Sequence, residues 1–181
     1  MELFQTISIF LIWGVLIITI LLLFLMIKKI NLITSKFGSM IYEPLKKGEL
    51  IPTVEITNIH SQTLNINDLL YDGLNFLLFF SIGCSSCAEA LNDLFLNKHI
   101  FNDKNIKVIL ISLNEKNVTD KFFEENGLLS EEVFYVNKPK KAMSDLHITG
   151  TPYYILSQQT VIQKAHIVMN NHWKKMLNDI E

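Results

Sequence analysis

The segment "NFLLFFSI", residues 75–82, runs apolar from Phe76 to Phe80 with no polar alternation. A strand with one wet face would alternate, so this one needs cover on both faces, as in the middle of a sheet flanked by helices. "IKVILISL", residues 106–113, has the same character. Between the two, Cys87, Ala90, Leu91, Leu94 and Phe95 recur at helical spacing. Strand, helix, strand in that order makes the two strands parallel.

The remaining pattern extends this core. "TVEIT" and "TLNI" alternate apolar and polar residues around "NIHSQ", which predicts a short hairpin. "VTDKFFEENGLL" reads as a helix with Gly127 as its C-cap. "EEVFYVN" is a short strand, and "KPKKAMSDLHI" a short lysine-rich helix. "PYYILS" and "VIQKAHIV" flank "QQT" as a second hairpin, and "NHWKKMLNDIE" reads as a closing amphipathic helix. The expected architecture is α/β: a mixed sheet flanked by helices on both sides.

Ahead of this domain, residues 3–27 contain no charged side chain. As a helix they rise about 37 Å, more than the roughly 30 Å of bilayer hydrocarbon. A cleavable signal peptide has a basic start, a shorter apolar core and a small-residue cleavage site. Here the chain starts "MELFQ" and the run ends in "MIKKINL". An uncleaved transmembrane helix is therefore expected, with the lipid bilayer as a partner. Residues 1–36 form the anchor and its basic juxtamembrane segment, 37–52 a linker with Pro44, Gly48 and Pro52 as breakers, and 53–181 the folded domain.

The formal net charge of −2 gives no electrostatic case for nucleic acid, and all 16 basic residues are lysines. Arginine is the residue suited to bidentate phosphate recognition, so its absence argues against a phosphate-reading site.

Cys84 and Cys87 are the only cysteines, and three kinds of chemistry compete for them. A zinc site needs three or four protein ligands, and the five histidines form no local cluster. No metal is therefore expected, although two thiolates with His147 or another histidine would serve a copper(I) metallochaperone. A structural disulfide across so small a loop removes little denatured-state entropy. Redox exchange fits the placement best. At a helix N-terminus the free N–H groups and the macrodipole favour a thiolate, which suits Cys84 as nucleophile. Cys87, one turn on and more buried, is then the resolving thiol. The only redox group this requires is the Cys84–Cys87 disulfide itself. Ser85 and Ser86, inside the motif, are placed to donate hydrogen bonds to the Cys84 thiolate, which would favour the reduced form. Downstream, "ITGTPYYIL" sets Thr151 and Pro152 before an apolar strand. A cis Thr151–Pro152 bond beside the cysteines would turn the Thr151 backbone toward an extended client peptide.

With these elements in place, residues 53–181 resemble the thioredoxin superfamily over nearly their whole length. The leading hairpin is similar to that of the membrane-anchored TlpA/ResA branch. "IKKINLITSKFGSM", "GELIPTVEI", "GTPYYIL" and "HIVMNNHWKKML" resemble segments of the methylamine-utilisation MauD proteins. The resemblance implies a membrane-anchored thiol–disulfide oxidoreductase assisting maturation of an exported client protein with cysteines, with a membrane electron donor or acceptor as a further partner. It also implies Cys84 as nucleophile, Cys87 as resolving thiol and Pro152 as the cis-proline. Two departures stand out. Gly83 occupies the position where thioredoxins carry tryptophan, and Leu78 the position of their buried acid. No proline–threonine–cysteine motif precedes Cys84, which argues against a peroxiredoxin.

On localisation, oxidising compartments and the MauD resemblance place the soluble domain outside the cytoplasm. Lys28, Lys29 and Lys36 follow the span and, by the positive-inside rule, argue for the cytoplasmic side. The expectation is an extracytoplasmic domain on a single-pass anchor.

Overall fold

The computed structural model describes residues 13–26, 28, 45–127 and 133–168. The chain divides into two units, residues 1–41 and 42–181.

In the first unit, residues 13–26 form a helix, α1. Its large apolar side chains, from Trp13 to Met26, are exposed. Among the described residues no helix is long and apolar enough to cross a membrane. Residues 3–12 and 27 of the expected span lie outside them.

The second unit is built on β3 (Leu74–Phe80) and β4 (Ile106–Ser112), the two unbroken apolar segments. They pair in parallel from Leu74↔Ile106 to Phe80↔Ser112. β5 (Val133–Val136) joins β4 in parallel, and β6 (Tyr153–Gln158) joins β3 antiparallel. β7 (Val161–Ile167) folds back on β6 through the turn at Gln159 and Thr160. The first hairpin, β1 (Glu55–Thr57) with β2 (Thr63–Asn65), attaches to β5, so the strand order is β2-β1-β5-β4-β3-β6-β7. The expected mixed sheet is present, with β3 near its middle.

Successive β3 side chains enter opposite cores, as strand geometry requires. Leu77 and Phe79 join a cluster with Ile109, Ile111 and Tyr153, under the 3-10 helix Ile66–Leu69 and α5 (Pro139–Asp145). Phe76, Leu78 and Phe80 join Leu110 and Tyr154, under α2 (Ser85–Leu96), α3 (Lys98–Asp103) and α4 (Lys116–Glu125). The Phe76 ring lies 5.1 Å from that of Phe101 and 5.5 Å from that of Tyr154. Each fully buried side chain of this size contributes about 1.5–3 kcal/mol, so the strand carrying the site's leading loop is firmly anchored on both faces.

Three details differ from the sequence expectations. The part of the linker at 45–52 is docked: Leu45 and Ile51 are buried in the first core. Its backbone meets β7 through Gly48 N–H to the Ile162 carbonyl and Ile162 N–H to the Glu49 carbonyl, both 2.8 Å. Two apolar side chains and a strand edge with open hydrogen-bonding groups outweigh the breakers. α3 and the 3-10 helix are additional elements. α4 starts at Lys116, with Asn126 as its C-cap and Gly127 following at φ +64°. The closing helix expected over 171–181 lies outside the described residues.

Candidate active site

β3 ends at Phe80, and the chain crosses to α2 through Ser81, Ile82 and Gly83. Gly83 has φ +85°, a conformation that costs glycine least, and open space surrounds its missing side chain. Cys84 is the N-cap of α2 and its carbonyl accepts from the Cys87 and Ala88 N–H groups, at 3.0 and 3.2 Å. No acidic residue sits in the first turn of α2, so nothing there opposes a negative charge on the N-cap sulfur.

The two cysteines occupy different surroundings. Cys84 is half-buried. Its Sγ lies 3.1 Å from the Ser86 hydroxyl, and its thiol donates to the Thr151 carbonyl at 3.6 Å. Burial pushes this thiol up. Hydrogen bonds from the Cys87 thiol, the Ser86 hydroxyl, the Cys87 backbone N–H and the Thr151 side chain outweigh that and hold it below its ordinary value. Cys87 is buried, packed in the same apolar cluster as Leu78 and Leu91. Burial first, then its pairing with Cys84, pushes its thiol up to about 11. The Ser81 N–H, 3.4 Å from Cys87 Sγ, and Thr151 pull the other way without winning.

The Thr151–Pro152 bond is cis. The Thr151 carbonyl on Cys84 Sγ shows that the proline segment and the cysteine pair share one site, although 67 positions separate them. Ser86 faces Cys84 Sγ, and Ser85 lines a pocket of about 250 Å³ beside it. Ile82, Ala88, Leu91 and Phe122 supply that pocket's apolar wall. Among the described residues no group of three or more His, Cys, Asp or Glu side chains is placed to hold a metal ion. His147 is thus not brought to the two thiols there.

Sequence reading missed Asn114. Its Oδ1 accepts from the Ile82 N–H at 2.6 Å and from the Ser81 hydroxyl at 3.1 Å. The signal available was its position just past the carboxyl end of a buried parallel strand, the end where α/β sheets place their sites.

No protein-family model matches the chain, and no curated protein matches it in sequence. Solved structures do match. The thioredoxin domain of a thiol-disulfide oxidoreductase from Bacteroides vulgatus is 18% identical, with a TM-score of 0.63, covering 76% of this chain and 99% of that one. A thiol:disulfide interchange protein from Bacteroides sp. is 21% identical, with a TM-score of 0.60, covering 76% and 93%. A peroxiredoxin-like protein from Aquifex aeolicus is 12% identical, with a TM-score of 0.60, covering 77% and 88%. The domain therefore has a thioredoxin-like fold. That fold hosts more than one thiol chemistry, so the reaction has to be argued from the site.

Proposed function

We propose that this protein is a thiol–disulfide oxidoreductase acting on a client protein with cysteines. The observation that carries the reading is the asymmetry of the pair: Cys84 half-exposed with a lowered thiol, Cys87 buried and raised to about 11. One sulfur is favoured as the attacking thiolate and the other is held back as a thiol.

In the reducing direction the Cys84 thiolate attacks a client disulfide. A Cys84–client bond forms, and the first client sulfur leaves as a thiolate. Cys87, deprotonated, then attacks Cys84 Sγ, forming the Cys84–Cys87 disulfide and releasing the second client thiolate. Two electrons pass to the client, and the reverse sequence oxidises it. Thr151, with its backbone at the attacking sulfur, is the natural place for the client strand beside Pro152 to pair.

The finer reading is a membrane-tethered enzyme of the MauD kind, serving one or a few exported clients and exchanging electrons with a membrane partner. The uncharged run over residues 3–27 and the exposed apolar surface of α1 support the tether. The competing reading, a copper(I) metallochaperone, is left with two sulfurs and no third His, Cys, Asp or Glu ligand beside them among the described residues.

Trapping tests the assignment. Cys87→Ser is expected to accumulate mixed disulfides with clients, seen as thiol-sensitive bands, and Cys84→Ser to trap few. Equal trapping by both variants, or none by either, overturns it. Purified chain that holds stoichiometric copper and lacks disulfide-exchange activity favours the chaperone.

A further inference from the structure

The half of the site that the exchange chemistry leaves unexplained is what supports the resolving sulfur. Cys87 Sγ receives one backbone donor, the Ser81 N–H at 3.4 Å. Ser81 lies in an irregular crossing between β3 and α2, where no ladder fixes the direction of its N–H. The fixing comes from β4. The pairing of Phe80 with Ser112 and the bond from Leu113 N–H to the Phe80 carbonyl at 2.9 Å bring the residue after Leu113 alongside the crossing. That residue is Asn114, and its Oδ1 takes two donors from the crossing, Ile82 N–H and the Ser81 hydroxyl. A backbone N–H can only donate, so the carboxamide must present its oxygen there.

Asn114 is itself held from behind. Its N–H donates to Ser112 Oγ at 3.1 Å, and Ser112 Oγ is 2.7 Å from Thr119 Oγ1. The Thr119 hydroxyl donates to the Glu115 carbonyl at 3.1 Å, so Ser112 is the donor between the two hydroxyls. Ser112 and Thr119 are fully buried. The result is one directional chain, Asn114 N–H to Ser112 to Thr119 to Glu115, locking the corner between β4 and α4. Such chains strengthen cooperatively and fix a single geometry.

We infer that Asn114 is a positioning residue for the resolving step, holding the Ser81–Ile82 crossing so that the Ser81 N–H stays aimed at Cys87 Sγ. In that step Cys87 gives its proton to solvent and attacks Cys84 Sγ. The Cys84–Cys87 bond forms, the Cys84–client bond breaks, and the client sulfur leaves with the electron pair as a thiolate. A donor on Cys87 Sγ favours the thiolate that attacks. It makes no contact with Cys84 Sγ, whose hydrogen bonds come from Cys87, Ser86 and Thr151.

The inference rests on the assignment of Cys87 as resolver, and one reagent separates the two. With 5,5′-dithiobis(2-nitrobenzoate), the purified full chain releases one thionitrobenzoate when Cys84 attacks and a second when Cys87 resolves. Asn114→Ala is expected to leave the first phase unchanged and slow the second about tenfold at pH 8, the size of losing one charge-assisted hydrogen bond. Its pH profile for the second phase should move up by about one unit. Ser81→Ala, which keeps both backbone donors, should change the second phase less than about twofold. A second phase unaltered in Asn114→Ala, or both phases slowed equally, overturns the inference. If that variant does not fold, Asn114→Ser, too short to reach the crossing, carries the same expectations. A second release that survives in Cys87→Ser overturns the resolver assignment instead, whatever Asn114 does.

Discussion

Cys84 and Cys87 are the same residue type one helical turn apart, and their environments separate them. The N-cap position gives Cys84 donors from Cys87, Ser86 and Thr151, whereas Cys87 enters an apolar cluster where its charge is penalised. In that cluster Leu78 supplies no group that could take a proton from Cys87. Below about pH 11 the Cys87 thiolate is the minor form, and its fraction grows about tenfold per pH unit. In the mixed disulfide Cys84 no longer bears a thiol, but burial, the larger cause, still holds the Cys87 thiol up, so resolution should accelerate as pH rises from 7 to 10. Stopped-flow release of the second thionitrobenzoate measures it, and a flat profile contradicts the burial argument. Ser86→Ala removes a hydroxyl 3.1 Å from Cys84 Sγ. Its Cys84 thiol should titrate higher, and iodoacetamide alkylation at pH 7 should slow about threefold. The cysteine pair was legible from sequence because three positions and a helix start bring it together locally. Asn114 was not, because only the register of β3 on β4 carries it to Ser81.

At the scale of elements, legibility followed burial. β3 and β4 stood out because every side chain from Phe76 to Phe80 and from Ile109 to Ser112 is buried. α3 escaped notice because Phe101 is its one buried residue, too little for a periodic pattern. The 45–52 segment escaped because its attachment to β7 is largely through backbone groups, which leave no mark in the sequence. Its docking has an energetic consequence. Ile51 is 3% exposed, so Ile51→Ala should cost about 2–5 kcal/mol of stability. A free linker would lose nothing, and urea denaturation of the purified chain tells the two apart. Phe80, fully buried with its ring 5.8 Å from that of Phe123, joins the end of β3 to α4. Phe80→Ala should cost about 3–5 kcal/mol by the same measurement.

At the scale of the whole molecule, two surfaces of opposite character meet in one sequence. The domain built on the seven-stranded sheet has an apolar core on each face, while α1 leaves Trp13 60% and Phe24 67% exposed. An apolar helix surface of this kind needs lipid or protein around it, which is the physical case for a tether. The side on which such a tether would leave the domain follows from competing forces. Lys28, Lys29 and Lys36 after the uncharged run favour retention in the cytoplasm. Disulfide chemistry favours an oxidising compartment, and a thiolate poised at Cys84 has most disulfide substrate there. We expect the chemistry to match the compartment and the domain to face outward. Cys84 is the half-exposed cysteine, so intact cells pretreated with a reductant and then given a membrane-impermeant maleimide should label it. Cys84→Ser should lose that label. Labelling that requires lysis places the domain in the cytoplasm, and the lysines would then have governed insertion.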